Sequence, residues 1–163
     1  CAAPLAPPAP ASESVFSAAA LRGLAAGFHR QEAEARRHAR DAHRLQRDAE
    51  ALALLAAPLT EADWSAMLRE ARTCAGQGLT ECSLIRFPAP LCTDGGRAVN
   101  APDPAWPASL RGKPALVFLR WKEELQPAGF RLAARIATFP DGLPGDVELS
   151  RVWGGATADG ERP

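Results

Sequence analysis

Tyrosine is absent from this chain, methionine occurs once, and aromatic residues make up only 6% of it. The apolar fraction of 47% is ordinary for a folded protein, which excludes wholesale disorder. Much of that fraction is alanine, however, so the core must be modest and gathered around a few large side chains. Charge of one sign is also lacking: 19 basic and 19 acidic residues give a formal net charge of +0. Nucleic-acid binders usually carry a basic excess, so nothing here points to nucleic acid as a partner. No apolar run approaches the roughly 18 to 20 residues that a membrane helix needs. A CxxC pair is missing too, and the three histidines, His29, His38 and His43, lie far from the internal cysteines. A zinc site therefore has no support, and no metal or other cofactor is expected.

At 163 residues the chain suits one small domain with an appendage. Its abundance of alanine, arginine, glycine and proline matches a GC-rich bacterial coding bias. The sequence opens on Cys1, followed by Ala2, Ala3 and a proline-rich stretch through residue 13. A mature bacterial lipoprotein begins with the cysteine that carries the lipid, followed by small residues and a flexible tether. The expectation is thus a lipid on Cys1, membrane attachment through it, and a periplasmic location, with a cytoplasmic protein as the alternative.

Between Ser14 and Ala57 there is no proline, and residues 14–57 read as one long amphipathic helix. Leu21, Phe28, Ala35, Ala42, Ala49 and Ala56 recur every seventh position; Leu24, Gln31, His38, Leu45 and Leu52 supply the second heptad row. The seam is weak, because alanine, Gln31 and His38 stand where a strong coiled coil wants leucine. Gly23 and Gly27 are expected to disturb its first turns. The opposite face is of mixed charge and reads as solvated, with Glu32 and Arg36 in the favourable order four apart. Pro58 ends this helix, and Thr60 with Asp63 three residues on resembles a capping box for the next. The short connection predicts a helical hairpin.

Residues 60–154 read as a small two-layer α+β domain of about three strands and two helices, followed by a loose tail over 155–163. The strands are expected at Thr80–Phe87, Phe130–Phe139 and Val147–Trp153, the last two as a hairpin with Val147 and Leu149 inward. The second helix of the domain spans Lys113–Ala128, with Pro114 in its first turn and Gly129 just past its end.

Candidate chemistry concentrates in LCTDGGRAVN, residues 91 to 100. Asp94, Gly95 and Gly96 suit a tight turn, since glycine adopts positive φ without strain. The same backbone with Arg97 suits a nest that receives a carboxylate or phosphate, so Asp94, Gly95, Gly96 and Arg97 form the candidate ligand site. The loop lacks the Lys-Ser/Thr of a phosphate-binding P-loop and the spacing of a dinucleotide fingerprint. Cys92 as a nucleophile would need a histidine or a cation beside it. A disulfide between Cys74 and Cys92, clipping helix to loop, leaves Cys82 buried in its strand. Arg86, Arg131, Arg135 and Arg151 lie on expected strands, and three on one open face would make that face basic. No catalytic constellation stands out. The preferred reading is a non-enzymatic, anchored attachment or assembly protein that binds a protein partner, or itself, through the long helix or the small head. The alternative is an anion-binding domain or small enzyme centred on the Cys92–Arg97 loop.

Overall fold

The computed structural model describes residues 17–154. The 1–13 tether, Cys1 with its expected lipid, and the 155–163 tail lie outside the described residues. Helix α1 runs over Ala18–Ala56, 39 residues without interruption. Ser17 starts it, its hydroxyl accepting a hydrogen bond from the Ala20 amide at 3.0 Å. The helix continues through Gly23 and Gly27, where a methyl group would meet nothing within 4 Å. The expected disturbance there does not occur, because a lone helical glycine costs only about 1 kcal/mol against the neighbouring alanines and leucines.

The chain divides within α1, between Arg44 and Leu45, into two units. The first contains one described element, α1 up to Arg44. Its charges form local pairs: Glu32 with Arg36 at 2.5 Å and Asp41 with Arg44 at 3.6 Å. Leu21, Leu24 and Phe28 are exposed, at 52%, 69% and 64%.

The second unit holds the α+β head. Helix α2 (Glu61–Gly76) opens with the expected capping box: the Asp63 amide donates to the Thr60 hydroxyl, and the Thr60 amide donates to the Asp63 carboxylate. Strand β1 (Glu81–Pro88) follows, then a four-residue helix α3 (Arg97–Asn100). Helix α4 (Lys113–Arg120) carries Pro114 in its first turn and passes into a π turn at Trp121–Leu125. Strands β2 (Arg131–Ile136) and β3 (Asp146–Val152) complete one antiparallel sheet of order β1-β3-β2. The fold is α+β: a long N-terminal helix, then a small domain with a three-stranded antiparallel sheet.

As the central strand, β3 carries the sheet's burial. Val147 pairs with Phe87 on one side and Ile136 on the other, and Leu149 pairs with Ile85 and Ala134. Both Val147 and Leu149 are fully buried, each contributing roughly 1.5–3 kcal/mol by leaving water. The register of β1 slips between Ser83 and Ile85, so Leu84 is an extra residue. That bulge lets consecutive residues serve two cores. Leu84 joins Trp64, Val117, Trp121 and Leu125, while Ile85 packs against this cluster and against a second one built on Phe87, Leu91, Val99, Val147 and Leu149. The π turn serves the same end. Its wider turn offsets the drift of an α-helix, which keeps Val117, Trp121 and Leu125 on one buried face.

The stripe of α1 that packs within the second unit is not the heptad seam. Ala51 and Leu54 enter the Phe87 cluster, and Arg47 donates to the Gly145 carbonyl, a spacing of four and three residues. The seam residues Leu45 and Leu52 stay exposed, at 66% and 67%. Helix α2 sends Trp64 into the other cluster, so it does not cover the seam. Gly112 closes the junction between the end of α1 and the start of α4. Its φ is +62°, and a Cβ there would lie 2.6 Å from Leu55 Cα and 2.7 Å from the Leu54 carbonyl oxygen.

Candidate functional site

The 92–100 loop is held at both ends by backbone. Cys92 and Leu110 form a bridge, Thr93 donates to the Ser109 carbonyl at 2.8 Å, and Arg111 donates to the Leu91 carbonyl at 2.9 Å. Between these anchors the Asp94 carboxylate folds back on the chain. It accepts the Gly96 amide at 3.0 Å and the Ala98 amide at 2.6 Å, which starts helix α3. The Gly95 amide is also engaged, donating to the Cys92 carbonyl at 3.0 Å. Burial works against the charged Asp94, but the Ala98 and Gly96 amides and the nearby Arg97 outweigh it and leave its pKa lowered.

The amides that would receive an external anion are therefore occupied within the loop, Gly95 by the Cys92 carbonyl and Gly96 by the Asp94 carboxylate. Arg97 is exposed beside them. Gly96 is fixed by two constraints at once. Its φ is +82°, and a Cβ would press on Ile136 Cδ1 at 3.3 Å and Val147 Cγ2 at 3.5 Å. This places Asp94, Gly95, Gly96 and Arg97 together in one turn, packed on the sheet's edge, with no donor left over on its backbone from Gly95 to Gly96.

Cys92 is a buried free thiol. Burial pushes its pKa up, more than Ser109 and the charge of Arg111 pull it down. A thiolate is disfavoured at this position, the opposite of what a nucleophile requires. The pairing of Cys74 with Cys92 is corrected: Cys74 is bonded to Cys82, with the Cα atoms 6.2 Å apart. The reason is local. The chain turns at Gln77 and Gly78, and the Leu79 amide donates to the Cys74 carbonyl, so the second residue of β1 returns beneath the last turn of α2. Cys92 is instead packed in the Phe87 cluster.

Of the four strand arginines, Arg86, Arg131 and Arg135 fall on the open face of the sheet. That face is not basic. Arg86 pairs with Asp146 at 3.0 Å, and Arg135 bridges Glu148 at 2.8 Å and Glu81 at 2.9 Å. Arg131 donates to the Gly154 carbonyl at 3.2 Å. Arg151 lies on the opposite face, fully buried, and donates to the Met67 carbonyl in α2.

A polar cluster between α2 and α4 escapes sequence reasoning except for the Thr60–Asp63 cap at its edge. Glu124 accepts the Trp64 indole N–H at 2.7 Å and Arg120 Nε at 2.8 Å. Arg120 reaches Glu61 at 2.7 Å and stacks over the Trp64 ring, 5.0 Å from its centroid. Lys113 donates to Asp63 at 2.9 Å. Arg120 and Trp64 lower the Glu124 pKa, and Lys113, then the Thr60 amide and hydroxyl, bring Asp63 down to about 2. The Thr60–Asp63 cap was the part of it read from the sequence, and the spacing of four between Arg120 and Glu124 is a local signal that could have found that pair. The other partners are 50 to 60 residues away. Every carboxylate in this cluster is paired with a cation or a capping group, so it clamps two helices and presents no base for proton transfer.

Among the described residues, no group of three or more His, Cys, Asp and Glu is placed to hold a metal ion, and no helix is long and apolar enough to cross a membrane. A shallow depression lined by His29, Glu32, Ala33, Arg36, Arg37 and Arg40 belongs wholly to α1, so it is the surface of a single helix. No family model, curated protein or solved structure matches this chain.

Proposed function

We propose that this protein is a non-enzymatic attachment or assembly protein that binds a protein partner through α1. One observation carries the reading: Leu21, Leu24 and Phe28, spaced three and four residues apart, are all more than half exposed. Scattered surface leucines are normal, but three large apolar side chains on one helical face form a patch of the kind that marks an interaction site. A lone helix in water is also marginally stable, and most helical stability in proteins comes from packing one face. A partner laid on this face supplies that packing. The head's two cores draw only on residues from Ala51 onward, so these three side chains are not needed to fill them.

The test is crosslinking of the full-length chain in its native host, comparing wild type with the double variant Leu24→Asp/Phe28→Asp. The expected result is a crosslinked species containing α1 peptides that the double variant loses, with the thermal unfolding of the head unchanged. Crosslinks that survive the double substitution, or that map only to head peptides, refute the reading.

A further inference from the structure

We propose that the Cys74–Cys82 disulfide is a redox-active bridge, opened by a dithiol reductant, and that the buried guanidinium of Arg151 receives the thiolate this releases on Cys82. Nothing in it depends on the docking role of α1. Cys82 on β1 and Arg151 on β3 are directly opposed in the sheet. Opposed residues of an antiparallel pair share a face and bring their Cβ atoms to about 4.5–5.5 Å. Helix α2 covers that face, supplying Cys74 to the bridge and the Met67 carbonyl to Arg151. Bridge and cation thus lie beneath one helix, on neighbouring strands.

Arg151 is fully buried, and its Nε and Nη1 have no hydrogen-bond partner. Buried charges are ordinarily paired, yet among the described residues no carboxylate forms an ion pair with this one. On its other side in the register, β2 presents the apolar Leu132. From α2 come Met67 and Cys74; Arg69, Glu70 and Arg72 are exposed on that helix, and Glu70 attracts Arg151 without forming an ion pair. Cys82 is the register neighbour that can become an anion, and it does so only when the bridge opens.

Exposure selects the sulfur attacked. Cys82 is buried, at 6%, while Cys74 is half-buried. A thiolate of the reductant bonds to the Cys74 sulfur; the Cys74–Cys82 bond breaks, and its electron pair leaves on Cys82. The reductant's second thiol then loses its proton to solvent and closes on the first sulfur, and the displaced Cys74 thiolate takes up a proton. The reductant ends as a disulfide and the bridge as one thiol and one thiolate, with two electrons transferred. A guanidinium beside a thiol favours the thiolate, and a thiolate of lower pKa leaves faster. Cys92, packed in the Phe87 cluster, takes no part.

The experiment equilibrates the full chain, wild type and Arg151→Met, with dithiothreitol buffers of graded potential. In the reduced forms it follows the Cβ resonances of carbon-labelled cysteine against pH. The reduced wild-type head should stay folded, with Cys82 titrating at least about one unit below the ordinary thiol value of about 8.5. Arg151→Met should return that titration toward the ordinary value and, at about pH 9, make the bridge about tenfold harder to reduce. Cys74→Ser, which frees Cys82 without any reductant, should show the same low titration as reduced wild type. A Cys82 that titrates at or above the ordinary value, or that is indifferent to Arg151→Met, overturns the proposal. So does a head that unfolds on reduction, since the bridge is then a structural staple.

Discussion

Replacing Arg151 with methionine should stabilise the head. Arg151 sits on the central strand with 0% exposure, and its guanidinium makes one hydrogen bond, from Nη2 to the Met67 carbonyl. Its Nε and Nη1 are buried without a partner. Burial pushes its pKa down, and the attraction of Glu70 only partly offsets this, without forming an ion pair. Each unpartnered buried donor costs about 1–3 kcal/mol, so the two together cost roughly 2–6 kcal/mol. The one charge-assisted hydrogen bond returns about 1.5–3 kcal/mol. Methionine keeps most of the aliphatic stem and volume, so Arg151→Met should gain about 1–3 kcal/mol, in line with other buried charges exchanged for apolar groups. The Met67 carbonyl stays within α2 and keeps its place in the helical ladder. The assay is equilibrium urea unfolding, with a raised midpoint at unchanged slope as the expected result. Arg151→Ala serves as the control: it removes the stem as well and should be destabilising through the cavity it leaves. A loss of more than about 1 kcal/mol in Arg151→Met would refute the reasoning, because it would mean that the guanidinium is well satisfied.

Gly112→Ala should destabilise the head by at least about 2 kcal/mol in the same assay, since its Cβ meets Leu55 and Leu54 backbone rather than a flexible side chain, at positive φ. Gly23→Ala and Gly27→Ala meet open space, so each should raise the helical content and stability of α1 by up to about 1 kcal/mol, read by circular dichroism during heating. Asp63 has an ordinary value of 3.8 that falls to about 2 in the folded chain. Its contribution is thus fully present above about pH 4 and is lost as the pH falls through about 2; Lys113→Ala should flatten the acid limb of the stability profile over that window. Peptide mapping without reductant should recover a Cys74–Cys82 cross-linked peptide and a Cys92 that alkylates only after unfolding. A bridge involving Cys92 would contradict the structure.

Much of the head was legible because it depends on short-range chemistry. Thr60 and Asp63 are three residues apart, so their reciprocal cap needs no distant information. Pro114 fits a first helical turn for reasons internal to its own ring. The alternation over β2 and β3 placed Val147 and Leu149 inward correctly, since a strand's side chains must alternate. In the 91–100 loop the turn chemistry of Asp94 and the glycines was readable, because Asp94 bonds to amides two and four residues away. That its carboxylate thereby occupies the candidate anion nest was a matter of conformation, and the residue types allowed either outcome.

What the tertiary structure alone decided involves residues far apart in the chain. Three internal cysteines permit three pairings, and the turn that carries β1 back beneath α2 selected Cys74–Cys82. The heptad pattern of α1 marked Leu45 and Leu52 as its contact face, but the groove beside Gly112 and Gly145 took Arg47, Ala51 and Leu54 instead. Four strand arginines looked alike, and strand order put Arg86 and Arg135 beside carboxylates, Arg131 beside the Gly154 carbonyl and Arg151 beneath a helix. Local sequence fixes which backbone shapes are cheap. Which of several equally cheap faces is buried depends on the neighbour that happens to fit it, and that neighbour is specified only by the folded chain as a whole.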